Sequence, residues 1–244
     1  MLWGSSISIM SGANEIFVHL LEVLVMRRFI LAALLLSTIM FAGCTEKDKD
    51  VLIGPDLILG ETVIYGDTII NEEDGDVPQP PSIILISGDQ VKILCGRDKN
   101  PSQPCISPNR KKLAYISPFE FETIGEVHIY DASNRLEENA VTSTDIPDEY
   151  SPKKLFWLDD RYLLAIVGYA YGTVSRGGDL YVYDTIDKRL SFLISENDDK
   201  RQITDITADN EDIKLDITVY DDDMSDYSTE KRIITYQDIM DRIK

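Results

Sequence analysis

The feature that most constrains this chain is a period of about 50 residues. Ser107, Trp157 and Thr207 each precede a turn, at Pro108-Asn109-Arg110, Leu158-Asp159-Asp160 and Ala208-Asp209-Asn210. Apolar residues alternate after each turn, at Leu113/Tyr115, Leu163/Ala165/Val167 and Ile213/Leu215/Ile217/Val219. That is the rhythm of a half-buried strand. A second landmark recurs further on, in Gly125–Asp131, Gly178–Asp184 and Lys231–Gln237, whose tyrosines Tyr130, Tyr183 and Tyr236 are 53 residues apart. Two landmarks with matching periods indicate one supersecondary unit copied three times.

Each unit reads as four short strands: an inner one ending at the turn, two long ones joined by a loop, and an outer one. The outer strands fall near Asn139–Thr142 and Leu190–Ile194, and Val91–Cys95 reads as the outer strand of a preceding partial unit. This is a blade pattern. The expected fold is all-β, with three propeller-like blade repeats plus a partial blade. Propellers typically close with four to eight blades, so the spacing predicts an open or incomplete β-propeller. Asp238–Lys244 reads as a short helical turn.

Ser107-Pro108-Asn109-Arg110-Lys111-Lys112-Leu113-Ala114-Tyr115 resembles the blade start of propellers like that of the translocation protein TolB. Pro152–Asp160 and Gly168–Tyr181 are similar to a family of uncharacterised bacterial proteins, domain of unknown function 4652. That likeness runs from about Pro104 to Ile239, and its glycine-tyrosine stretch is the most specific part. The resemblance implies a propeller-like fold and an exported setting. It implies no activity.

The N-terminus carries an address. Met26-Arg27-Arg28 opens a positive region, Phe29–Ala42 is uncharged and apolar, and Phe41-Ala42-Gly43-Cys44 follows. A basic start, a short apolar core and small residues before a cut site describe a secretory signal. A spanning helix needs about 20 apolar residues. The Ala-Gly-Cys end resembles a lipobox, which implies lipid on the Cys44 sulfur and cleavage before it. Residues 1–25 read as a spurious extension, because signal peptides seldom begin so far upstream of their arginine pair. The expected organisation is 26–43 signal peptide, 44–81 lipid-anchored tether and linker, and 82–244 propeller-like domain. The expected location is the extracytoplasmic face of the cell membrane.

Outside the cytoplasm Cys95 and Cys105 either close a disulfide across a loop or stay as two buried thiols. They have no companion Cys or His pair, so no metal site is expected. A net charge of −19 without clustered Lys and Arg argues against nucleic acid. Asp221-Asp222-Asp223 with Asp226, and Glu72-Glu73-Asp74 with Asp76, do not follow the calcium-loop spacing and read as solvated turns. The chain has no P-loop and no dinucleotide fingerprint, and no cofactor is expected.

Hydrolytic nucleophiles need a base within hydrogen-bond reach. His128 is the one histidine after Cys44, and the repeat aligns it with Tyr181 and Ile234, which reads as packing. Ser175 does not sit in a nucleophile elbow. The repeat instead singles out the loop joining the two long strands: Ser117–Ile124, Gly168–Gly177 and Tyr220–Glu230. These loops should emerge on one side, carrying Phe119, Phe121, Tyr169, Tyr171, Ser175, Arg176, Asp221 and Tyr227. Aromatic loop residues with one arginine suit recognition of an envelope protein or cell-wall ligand. The alternative is that the tyrosines cover the core while the glycines shape a bulged hairpin. The leading expectation is thus a non-catalytic binding module. The alternatives are a carboxylate-dependent envelope hydrolase, which needs two facing carboxylates, and a structural subunit pairing through exposed blade edges.

Overall fold

The computed structural model describes residues 56–66, 80–196, 198–209 and 212–243. Residues 26–43, expected above to be a signal peptide, and Cys44 lie outside the described residues. The described chain forms fifteen strands, one α-helix and a single 3-10 turn at Arg97–Lys99. The strands are β1 (Asp56–Ile58), β2 (Glu61–Gly66), β3 (Ser82–Ser87), β4 (Gln90–Cys95), β5 (Cys105–Ile106), β6 (Lys112–Ser117), β7 (Glu126–Asp131), β8 (Leu136–Val141), β9 (Tyr150–Trp157), β10 (Tyr162–Tyr169), β11 (Asp179–Asp184), β12 (Arg189–Ile194), β13 (Arg201–Asp209), β14 (Asp212–Tyr220) and β15 (Tyr227–Thr235). Helix α1 (Tyr236–Ile243) ends them. They group into four antiparallel meanders, β1–β4, β5–β8, β9–β12 and β13–β15. The all-β, blade-repeat architecture stands.

The blades are alike down to their irregularities. In the first three, the register between the third and outer strands slips at the same place. Ile83 pairs with Cys95 and then Ile84 with Ile93. Val127 pairs with Val141 and then His128 with Asn139. Leu180 pairs with Ile194 and then Tyr181 with Phe192. One bulge per blade bends each outer strand in the same sense. The turns before those outer strands each hold a left-handed residue: Gly88, Arg135 and Lys188.

Three findings correct the sequence reading. The partial blade is a complete four-stranded sheet, because residues 56–66, assigned above to the tether, supply β1 and β2, and β2 pairs with β3. Those strands are short and broken by Gly60 and Gly66, so their period is weak. The third repeat is offset by two residues. Leu113, Leu163 and Ile213 pair with Tyr130, Tyr183 and Ile234, while Tyr236 opens α1. By the same register Arg232, opposite Leu215, corresponds to His128 and Tyr181. The chain leaves the sheet there because Thr235 and Asp238 cap a helix, with Thr235 N–H donating to Asp238 Oδ2 and Asp238 N–H to Thr235 Oγ1.

The third correction concerns the thiols. Cys95 and Cys105 are free. Cys95 packs in the cluster between the first and second sheets, while Cys105 lies against the one between the second and third. Successive strand residues face opposite sides of a sheet; with one thiol on each side of the second blade, the pair cannot bridge.

Three apolar layers hold the blades together. Ile83, Leu85, Leu113 and Tyr130 fill the first, Val127, Ile129, Leu163 and Val167 the second, and Leu164, Ile166, Leu180, Ile203 and Leu215 the third. Among the described residues the last sheet has no fourth strand. Its place is taken by α1, whose fully buried Ile239, with Met240 and Ile243, packs into the third layer. The outward face of this sheet pairs Asp216 with Lys231 and Thr218 with Thr229.

Candidate functional site

A meander places alternate connections at opposite ends of the stack. At one end lie the loops 118–125, 170–178 and 221–226, which follow β6, β10 and β14. The connectors that enter β5, β9 and β13 (96–104, 142–149 and 195–200) join them. One bond recurs in the last three blades: Phe119 N–H donates to Asn100 O, Ala170 N–H to Glu149 O, and Tyr220 N–H to Lys200 O. This end is called the loop face.

The three loops meet. Gly172 N–H donates to Glu122 Oε1 at 3.3 Å, joining the first to the second. Arg176 joins the second to the third: its guanidinium carbon lies 5.1 Å from the Tyr227 ring centroid, and Nη1 donates to the Tyr227 hydroxyl at 3.2 Å. Tyr220, beneath, donates its hydroxyl to Val174 O at 2.9 Å. Tyr171 stands edge-on to Tyr169, centroids 5.4 Å apart, and Tyr169 edge-on to Tyr150 at 6.2 Å. Ser175 Oγ donates to Tyr169 O at 2.6 Å, so its role is to brace the loop.

Of the sequence-predicted residues, Phe119, Phe121, Tyr169, Arg176 and Tyr227 are exposed, Phe121 most of all at 67%. Tyr171 is half-buried and supports Tyr169. Asp221 is turned to its own loop, accepting Ser225 N–H at 2.8 Å and Ser225 Oγ at 3.0 Å. Donors on Asp226 and Ser225 hold its carboxyl below the usual range. His128 stacks on Tyr115, centroids 5.0 Å apart, which accords with a packing role.

The glycines do more than shape a hairpin. Gly178 forms an antiparallel bridge to Ile203 of the next blade, with both N–H···O distances 3.0 Å. A β-carbon on Gly178 would lie 2.1 Å from Val167 O, one on Gly168 1.8 Å from Gly177 O, and one on Gly177 2.1 Å from Ile203 O. The second loop therefore lies backbone to backbone against β13, and only glycine permits that. Gly172, at φ +85°, makes the turn itself.

Two further features had no signal in the repeat. A recess of about 650 Å³ opens at the turn end, lined by Phe156, Trp157, Ile213 and Tyr236, with Asp212 its one carboxylate. The connectors are also strongly acidic, with Asp145, Asp148, Glu149, Asp198 and Asp199. Counting charge by connector rather than by whole chain would have exposed this. No group of three or more potential metal ligands occurs among the described residues, and no described helix is long and apolar enough to cross a membrane.

Residues 118–236 match the domain of unknown function DUF4652. Among solved structures the chain is similar to a candidate conserved lipoprotein from Clostridium novyi NT: 25% identity, 55% of this chain and 86% of that one, TM-score 0.49. It is also similar to the β-propeller domain of the Trilobed protease from Pyrococcus furiosus, which has an open velcro topology: 14% identity, 71% and 49% coverage, TM-score 0.42. TolB from Acinetobacter baumannii is a third: 18% identity, 63% and 37% coverage, TM-score 0.38. This chain spans half or less of those last two. No curated protein matches.

Proposed function

We propose that this chain, which carries a DUF4652 domain over residues 118–236, is a lipid-anchored extracytoplasmic lipoprotein whose blade stack is a non-catalytic binding module. Its loop face takes an envelope protein or cell-wall ligand. One observation carries the reading. Three corresponding loops are cross-tied by Glu122–Gly172 and Arg176–Tyr227, and they leave Phe119, Phe121, Tyr169 and Tyr227 exposed. Exposed rings on a braced backbone give contact area at low entropic cost. The turn-end recess offers a single carboxylate, and a glycosidase pair requires two.

Replacing Phe121 by Ser together with Tyr169 by Ala should leave a cooperative thermal transition within a few degrees of wild type, the cost of the lost Tyr150 and Tyr171 contacts, while abolishing capture of the partner taken by the wild type. Unchanged capture would remove the reading. For the anchor, Cys44→Ala should release the chain from the membrane fraction and end incorporation of an alkynyl fatty acid. Persistent labelling would place the lipid elsewhere.

A structural subunit is a second reading, favoured by the outward face of the first sheet. Ile64, Ile84 and Ile93 lie in register there, beside Ile86 and Val91, and Val91 and Ile93 are 67% and 61% exposed. A sheet face this apolar suits self-association. A monomer at all concentrations by sedimentation would count against it.

A further inference from the structure

The charge of this molecule is not spread evenly. Among the described residues, the loops and connectors of the loop face (96–104, 118–125, 142–149, 170–178, 195–200 and 221–226) contain thirteen Asp and Glu against four Lys and Arg. The turns at the opposite end (59–60, 88–89, 107–111, 132–135, 158–161 and 185–188) contain four against five. The loops and connectors of the loop face therefore sum to −9 and the opposite turns to +1. Acidity serving only solubility has no reason to collect at one end.

The acidic groups there are mostly unneutralised. Of the thirteen, Glu196 is buried between Arg201 and Arg232, and Asp222 pairs with Lys200. The others form no ion pair among the described residues. Asp221 and Asp222 are held below the ordinary carboxyl range, by hydrogen bonds from Asp226 and Ser225 and by Lys200 respectively, so both are ionised at neutral pH. Like charges held together repel one another, and a complementary partner relieves that repulsion.

The exposed rings of Phe119, Phe121, Tyr169 and Tyr227 stand among these carboxylates. An aromatic face attracts cations, Arg above all, and one such contact already exists here, Arg176 over Tyr227. Nucleic acid, anionic wall polymers and anionic lipid would all meet a repulsive field.

We propose that the ligand of the loop face is a basic segment of a protein, rich in lysine and arginine. Its cations meet Glu120, Asp148 and Asp199, and its aliphatic stems and guanidinium planes lie on Phe121 and Tyr169. This rests on the binding reading above and specifies its partner by chemistry.

The test is selection of a displayed random dodecapeptide library on the full chain. Three forms are compared: wild type, a charge-neutralised form (Glu120→Gln, Asp148→Asn, Asp199→Asn) and the ring form (Phe121→Ser, Tyr169→Ala). The charge-neutralised form should unfold at the wild-type temperature, since none of its three carboxylates forms an ion pair among the described residues, and the ring form, which loses the contacts of Tyr169 with Tyr150 and Tyr171, should unfold cooperatively within a few degrees of it. The wild type should enrich peptides of net positive charge whose binding falls steeply with salt, and each variant should weaken them about tenfold or more. Neutral or acidic peptides lost from the ring form would overturn the basic partner while leaving the binding face intact. Peptides retained by both variants would overturn the binding face as well, and so would an empty selection.

Discussion

Arg176 and Tyr227 are 51 residues apart, one on a loop of blade three and the other where the next blade's loop enters β15, yet the guanidinium both covers the phenol ring and donates to its hydroxyl. Geometry of this kind makes the loop face one surface. Cutting Arg176 to Ala should therefore loosen the third loop without touching the layers beneath. Hydrogen exchange should rise in residues 221–227 and stay level in β10 and β14. Equal acceleration throughout the third layer would show that the contact supports the fold rather than the face.

Gly178 bridges blade three to Ile203 of blade four while packed tightly against β10 of its own blade. A β-carbon there meets Val167 O at 2.1 Å, so Gly178→Ala must break the bridge to Ile203 or displace β10. The cost should be several kcal/mol, about that of a deleted core side chain, and larger than for the exposed Gly172→Ala. A thermal unfolding curve within about 2 °C of wild type would contradict the close approach.

Burial pushes the Cys105 thiol up to about 12 and raises that of Cys95 as well. Thiolate is the reactive form. Native protein at pH 8 should thus resist iodoacetamide at both positions, and protein unfolded without reductant should take up two labels per chain beyond Cys44. No uptake after unfolding would mean the two sulfurs are bonded.

Asp184 accepts two hydrogen bonds from Arg161, at 2.8 and 2.6 Å, and backbone N–H groups of Ile186 and Asp187. The guanidinium first, and those amides second, hold its carboxyl well below the usual range. A depressed folded value means the stabilisation is complete above the unfolded carboxyl pKa of about 3.9 and fades as pH falls below it. Asp184→Asn should therefore lower the melting temperature at pH 7 and lower it less at pH 2. An equal deficit at both values would show that the charge contributes nothing.

How far the sequence was legible follows from which forces are local. Blades two and three were plain because Leu113 and Leu163 begin long alternating strands, and Tyr130 and Tyr183 stand opposite them. The first blade was obscured because β1 has three residues and β2 and β3 are far apart in the chain. Their pairing is a tertiary choice that no local period records. Tyr236 misled because a helix cap at Thr235 and Asp238 competed with strand pairing and won. On the loop face, Phe121 and Tyr169 could be named from the repeat. The inward turn of Asp221 and the bracing role of Ser175 depend on hydrogen bonds within the loops, which spacing does not encode.

The central claim is that corresponding loops of successive blades form one recognition face, and in-cell photo-crosslinking tests it directly. A benzoylphenylalanine at position 121 on the loop face is compared with one at 187 in a turn at the opposite end, with Cys44 kept. The account predicts a discrete adduct from 121 and none from 187. Adducts from 187 alone would contradict it.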